Sequence, residues 1–266
     1  MKITFCSLFS GSSGNAIYIG TEDTHLLVDA GLPGKTVCEA LESIGVLPET
    51  LSAILVTHEH SDHVKGVGVL SRKYRIPVYA NARTWEAMEK HVGSIAPGCR
   101  RVFDSGDTFY INNVSILPYS VSHDAAEPVG YRIDYGSHSV ATATDMGVFT
   151  KRVLGTLAGV DLLLLESNYD PDMLRENERY SQRLKTRIQS RYGHLSNSDC
   201  ANAIAALHET GVRNIVLGHL SQENNTPELA LQTVCALLAE RGLAAGSDIN
   251  VGMAWRDRVG ARYEIG

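Results

Sequence analysis

The sequence has no CxxC pair, and its five cysteines (Cys6, Cys38, Cys99, Cys200 and Cys235) are scattered and odd in number. That excludes a cysteine-only zinc knuckle, argues against a disulfide framework, and fits a reducing compartment, so a cytoplasmic location is expected. No apolar run is long enough to span a bilayer, and the opening stretch "MKITFCSLFSGSSGN" is too short and interrupted for a signal peptide. Neither a Walker nor a dinucleotide fingerprint is present, so no nucleotide cofactor is expected. Excess positive charge is also missing: the formal net charge is −6. An acidic chain repels polyanions, so any nucleic-acid partner has to be held by a local patch.

What is present is an ordinary globular composition, 44% hydrophobic and 20% charged, long enough to bury a core without staples. Short β-rich runs ("ITFCSLF", "AIYIG", "HLLVDAG") lead into a β/α alternation. A second series of strands follows from "VFDSGDTFYI" to "SVATATDMG", and a second alternation closes the chain. No Pro/Gly-rich linker or sequence repeat divides these halves. Two runs of strands, each with helices to cover one side, predict an α/β (α+β) chain folded as one domain over 1–266, a four-layer αββα sandwich.

One segment carries the chemistry. In "VTHEHSDHVKG" an apolar strand ends at Thr57, and His58, His60, Asp62 and His63 follow within six positions. Alternation puts His58 and His60 on one side of the extended chain, and Asp62 and His63 open the next helix. Asp62 or Ser61 can serve merely as a helix cap, and a lone histidine is commonly structural. Three histidines and an aspartate this close are better explained as metal ligands. Four ligands do not complete two metal shells. His123 in "SVSHDAAEP", Asp145 in "ATATDMG" and His219 in "IVLGHLS" share one local grammar of apolar strand, polar ligand and turn. His25, His91, His138 and His208 lack it.

"THEHSDH" together with His123, Asp145 and His219 resembles the metallo-β-lactamase fold, with Asp29 of "LLVDAG" matching its first motif. The resemblance implies one divalent ion on His58, His60 and His123, another on Asp62, His63 and His219, and Asp145 bridging the two. Asp29 would support the metal loop from behind. "SGSSGNAIYIG", "LLLESNYD", "GHLSNSDCA" and "GHLSQENNTPELA" are similar, over about residues 3 to 256, to the bacterial YycJ (WalJ) family, regarded as DNA exonucleases. That likeness implies phosphodiester hydrolysis through a dinuclear centre and a shared hydroxide, with nucleotides removed from the 5′ side. It also gives Glu166 and His194 the role of an acid–histidine pair that protonates the leaving oxygen, and Asp62 that of orienting the water or taking its proton. An aspartate at 145 favours thioester or phosphodiester hydrolases over typical zinc β-lactamases, which carry cysteine there. Only 21 residues separate His123 from Asp145, leaving no room for the long arm of many tRNA-processing relatives. A thioesterase, a lactonase or a ribonuclease of the same fold remains the competing expectation. Zinc, manganese or iron suits such a donor set.

The local basic patch lies between the last two motifs. "RENERYSQRLKTRIQSR" places arginine at 175, 179, 183, 187 and 191, beside Lys185, giving a local charge of +4 from Leu174 to Tyr192. Read as one helix, it winds a cationic stripe that is expected to follow a DNA backbone through Arg179, Arg183, Lys185 and Arg187. A solvated, internally paired face is the competing reading. Ser12, Ser13 and Asn15 of "SGSSGN" are expected to offer donors to a phosphate, although a hairpin turn explains the same composition. Oligomeric state is not legible.

Overall fold

A computed structural model describes all residues from Met1 to Gly266. Strands β1 (Ile3–Phe9), β2 (Ala16–Gly20) and β3 (His25–Val28) are followed by α1 (Gly34–Ser43), β4 (Ala53–Leu55), α2 (Ser61–Val64) and α3 (Val67–Tyr74). Next come β5 (Val78–Asn81), α4 (Ala82–Val92), β6 (Arg100–Phe103), β7 (Phe109–Ile111), β8 (Val114–Ser120), β9 (Val129–Tyr135) and β10 (His138–Ala143). The chain then runs through α5 (Lys151–Leu157), β11 (Leu162–Glu166), α6 (Pro171–Glu176), α7 (Gln182–Ile188), α8 (Asn197–Glu209) and β12 (Asn214–Gly218). It closes with α9 (Pro227–Ala239), β13 (Asn250–Met253) and β14 (Arg262–Ile265).

Two seven-stranded sheets result, ordered β14-β1-β2-β3-β4-β5-β6 and β13-β12-β11-β10-β9-β8-β7. Each begins as an antiparallel meander and continues parallel, from β3 to β6 in one and from β10 to β13 in the other. Parallel neighbours need crossovers, and these supply the helices on the outer faces. One apolar cluster fills the space between the sheets, with Phe5, Ile17, Leu55, Tyr131, Leu164 and Val216. A second joins the first sheet to α1, α3 and α4 through Val37, Leu41, Leu70, Trp85 and Met88. A third joins the other sheet to α5, α8 and α9 through Val153, Ile204, Leu207, Val234 and Leu238. The expected αββα layering is therefore the observed one.

Three local readings change. "VFDSGDTFYI" is not one strand: it divides into β6 on the first sheet and β7 on the second, and the chain crosses between sheets at Gly106. "DHVKGVGVLSRKY" divides into α2 and α3 at Gly66. A Cβ there would stand 2.5 Å from the Leu32 carbonyl oxygen, so only glycine lets these backbones approach. The arginine segment is two short helices rather than one. Asn177 ends α6, accepts from the Arg179 N–H, and donates through Nδ2 to Asn224 Oδ1 at 2.7 Å. Ser181 then caps α7 by accepting from Leu184 N–H. Asn and Ser compete with helix by such local bonds, and they break the stripe into patches.

The topology gathers the chemistry at one rim. The carboxyl ends of β3, β4, β10, β11 and β12 carry, in turn, Asp29, His58–His63, Asp145, Glu166 and His219. This is where side chains from several parallel strands can converge without interrupting a sheet.

Candidate metal centre

Three residues of this rim hold left-handed backbone without being glycine: Asp29 (φ 60°), Asp145 (φ 56°) and His219 (φ 53°). Each follows a buried strand, and the turn aims its side chain back over the sheet end. Such conformations cost of order 1 kcal/mol each and persist where the surroundings enforce them. Here the enforcement is visible. Asp29 accepts from Thr57 N–H at 2.9 Å and Thr57 Oγ1–H at 2.8 Å. His219 N–H donates to Ser10 Oγ at 2.8 Å, and its carbonyl accepts from Asn168 Nδ2 at 2.7 Å.

The imidazoles are oriented from behind. His123 Nδ1 lies 3.1 Å from the Gly193 carbonyl, which can only accept, so Nδ1 carries the hydrogen. His219 Nδ1 faces Asn15 Oδ1 at 3.1 Å, and His63 Nδ1 faces Asp29 Oδ2 at 2.7 Å. His58 Nδ1 reaches Thr57 Oγ1 at 3.0 Å, whose own hydrogen goes to Asp29. Each bond fixes a tautomer and leaves Nε2 facing the centre. His63 Nε2 is then 3.4 Å from Asp145 Oδ2, and His219 and His123 Nε2 are 3.1 Å and 3.8 Å from Asp145 Oδ1. His58 Nε2 lies 3.0 Å from His60 Nδ1, and Asp62 Oδ2 is 3.5 Å from His63 Nε2.

This donor set fits divalent cations. Asp145 Oδ2 is buried without a hydrogen-bond partner, a costly condition for a carboxylate unless a cation completes it. The His58 ring lies 4.1 Å from that of His63 and 5.1 Å from that of His123, so charging all of them with protons would stack like charges. Cations held through the lone pairs supply the same charge without that repulsion. His58, His60 and His123 have ligand atoms within 4.8 Å of one another, as do His58, His63 and Asp145, and also Asp145, Glu166, His194 and His219.

Charge follows the same layout. Burial would raise the Asp145 carboxyl, but His219, His63, His58 and His123 hold it well below the ordinary carboxylate value. Burial, with His63 beside it, keeps His58 well below the usual imidazole range and therefore neutral. Burial also lowers His194, but the Glu166 carboxylate 2.6 Å from its Nδ1 outweighs this and raises it to about 9.

The remaining expected residues fall into distinct places. Glu166 is fully buried, and its second oxygen accepts from the Met146 and Leu195 N–H groups, so it positions His194 rather than meeting substrate. Asn15 is buried too. Its amide holds His219, Gly11 and the Asp62 carbonyl, so the side chain is committed to the metal loops and not to a phosphate. Ser12 and Ser13 are exposed at the turn. Arg187 pairs with Asp124, whose other oxygen is 3.4 Å from His123 Nε2, which puts Arg187 on the rim. Arg179 is paired with Glu223 at 3.0 Å, and Lys185 Nζ donates to the Arg175 carbonyl. Arg183 is exposed and has no carboxylate partner within 4.0 Å.

The parts played by Ser10, Asn168 and Asp124 are not legible in the sequence, although Ser10 opens the "SGSSGN" turn. The first two hold the His219 backbone and the third links the His123 ring to Arg187. Their only signal is position: a polar residue at a strand end or directly beside a ligand. Behind them Ser167, Asn168, Asn197 and Asn225 form a buried polar network.

Two sheets with a histidine-rich rim are the mark of the metallo-β-lactamase class, and a family model described as "Beta-lactamase superfamily domain" matches residues 24–220. The metallo-β-lactamase-fold protein YhfI from Bacillus subtilis superposes with a TM-score of 0.75 at 17% identity, covering 98% of this chain and 99% of that one. Human tRNase Z, short form, does so with a TM-score of 0.63 at 16% identity, covering 98% and 99%. Both likenesses speak to fold alone. Sequence similarity is much stronger to Exodeoxyribonuclease YycJ of Bacillus anthracis, 42% identical over 94% of this chain and 95% of that protein. Exodeoxyribonuclease WalJ of Streptococcus pneumoniae serotype 2 is 45% identical over 92% and 91%. The chain thus belongs to the metallo-β-lactamase superfamily and, within it, to the YycJ/WalJ family.

Proposed function

We propose that this protein is a metal-dependent DNA phosphodiesterase, an exonuclease that removes nucleotides from a 5′ end. The observation that carries the reading is the convergence of His63, His123 and His219 Nε2 on the buried Asp145 carboxylate. The chain-wide similarity to two exodeoxyribonucleases supplies the substrate class. His58, His60 and His123 would hold one divalent ion, zinc, manganese or iron, and Asp62, His63 and His219 a second, with Asp145 shared. When bound, such ions polarise the phosphodiester and lower the pKa of water so that a nucleophile exists near neutral pH.

The chain's own residues do the rest. Asp62, partly open to solvent, orients the attacking water and takes its proton. Its backbone is pinned by Asn15, whose N–H donates to the Asp62 carbonyl at 2.8 Å. His194 keeps one ring edge toward solvent and holds a proton for the leaving oxygen, with Glu166 fixing the ring at Nδ1. Arg187, Arg183 and Lys185, together with the Ser12–Ser13 turn, contact the DNA backbone. Five free thiols fit a reducing cytoplasm.

The test is a matched panel of DNA, RNA, a thioester and a lactone, offered to metal-loaded protein and to its Asp145→Ala variant. DNA hydrolysis lost in the variant is expected. Preferred RNA cleavage, or turnover of the thioester or lactone without the polynucleotides, overturns the substrate assignment.

A further inference from the structure

A cleft of about 450 Å³ opens beside the loop that follows His219. Leu220, the residue after His219, forms its near wall, and Trp255, Arg256 and Arg258 form another. These residues share the backbone frame of the metal loops. Ser10 N–H donates to the Trp255 carbonyl at 2.8 Å, and the Ser10 hydroxyl takes the His219 N–H. Gly11 bridges to Leu220, and a Cβ on Gly11 would stand 2.9 Å from Arg256 Cγ. The missing side chain at Gly11 is what lets the Arg256 stem lie across the base of the Ser12–Ser13 turn. Arg258 places its guanidinium carbon over the Trp255 ring, 3.8 Å from its centre.

Within the arginine segment Arg183 and Arg191 have no carboxylate within 4.0 Å, but three others do. Arg175, Arg179 and Arg187 each engage carboxylates, namely Asp172 and Glu176, Glu223, and Asp124. A phosphate reaching those guanidinium groups has to displace a partner. Glu228 and Asp257 also line the cleft, yet neither comes within 4.0 Å of Arg256 or Arg258. Two guanidinium groups without carboxylate partners, one of them over an indole face, form a surface that matches a phosphate beside a base.

We propose that this cleft is a nucleotide subsite of the DNA strand: Arg256, with the Ser12–Ser13 turn, takes the phosphate next to the one being cleaved, and the Trp255–Arg258 stack supports its base. The inference rests on the reading of the metal centre as a DNA phosphodiesterase. The strand then runs from the metal centre past the Ser12–Ser13 turn to Arg256.

The experiment compares Arg256→Gln, Arg258→Gln, Trp255→Leu and Arg256→Lys with the parent on a 5′-phosphorylated oligonucleotide, single-stranded and duplex. Glutamine keeps most of the Arg256 stem over Gly11, and metal content with thermal midpoint reports on folding. Arg256→Gln should raise KM for DNA about tenfold with a much smaller change in kcat. It should also flatten the log–log salt dependence of binding by roughly 0.7 on the single strand and 0.9 on the duplex for one lost phosphate contact. Arg256→Lys should restore most of that slope, which a merely structural role for Arg256 would not produce. Trp255→Leu should weaken single-strand binding about tenfold and leave the salt slope alone. Folded Arg256→Gln and Arg258→Gln proteins with the parent's KM and salt slope overturn the subsite while leaving the nuclease reading intact. A parent protein that neither binds nor cleaves DNA overturns that reading, and the subsite with it.

Discussion

Replacing Asp29 with asparagine would change one atom's chemistry and little else, because asparagine tolerates the left-handed backbone at this position. Three donors point at two carboxylate oxygens: Thr57 N–H, Thr57 Oγ1–H and His63 Nδ1–H, at 2.9, 2.8 and 2.7 Å. An amide has one acceptor oxygen, so its NH₂ must face the threonine hydroxyl and His63 or the Thr57 amide. The least costly relief reverses the hydroxyl and moves the protons of His58 and His63 from Nδ1 to Nε2. Those Nε2 atoms are the ones aimed at the centre. Loss of such a supporting bond typically lowers metal affinity 10- to 100-fold, or about 1.4 to 2.8 kcal/mol at 1.4 kcal/mol per decade. Metal-free protein should lose a further ~1.5–3 kcal/mol of stability, the worth of the charge-assisted bond between the Asp29 carboxylate and His63. Chelator competition gives the affinity, and thermal melts of chelated protein give the stability. Metal affinity within twofold of the parent would refute the tautomer argument.

Other expected outcomes concern different atoms. Gly31→Ala places a Cβ 1.6 Å from the Asp62 carbonyl oxygen and 2.7 Å from Asn15 N; it should destabilise the fold by about 2 kcal/mol or more and reduce metal content, both checked by melting and elemental analysis. His194→Ala should slow DNA cleavage about 10²- to 10⁴-fold but barely affect a diester whose leaving group departs without a proton. Equal losses on both substrates would contradict its role as proton donor. Removing metal by chelation should lower folding stability by about 4 kcal/mol relative to protein held at a thousandfold excess over Kd, read from the thermal midpoint.

The layers were legible because apolar runs of two lengths alternate with turn residues, and that pattern determines which faces are buried. The ligand positions were legible because each follows a strand, as His58, Asp145 and His219 do. What escaped was everything decided by a distant partner. Asn15 reads as a phosphate donor in "SGSSGN", but Asp62 and His219, 47 and 204 residues away, claim its amide. The arginine repeat reads as one helix until Asn224 captures Asn177 and breaks it. The left-handed turns at Asp29, Asp145 and His219 leave no mark in composition, since aspartate and histidine occur in many other settings. Strands β13 and β14 were missed because their sequences, "NVGM" and "RYEI", are short and mixed. Both are edge strands and need little apolar content.

Duplex DNA labelled at one 5′ end or one 3′ end, given to metal-loaded protein beside its Asp62→Ala variant, tests the central claim most directly. The account predicts immediate release of the label as a mononucleotide from the 5′-labelled strand, delayed release from the 3′-labelled one, and neither with the variant. Internal cuts, release from the 3′ end first, or undiminished cleavage by Asp62→Ala would contradict it.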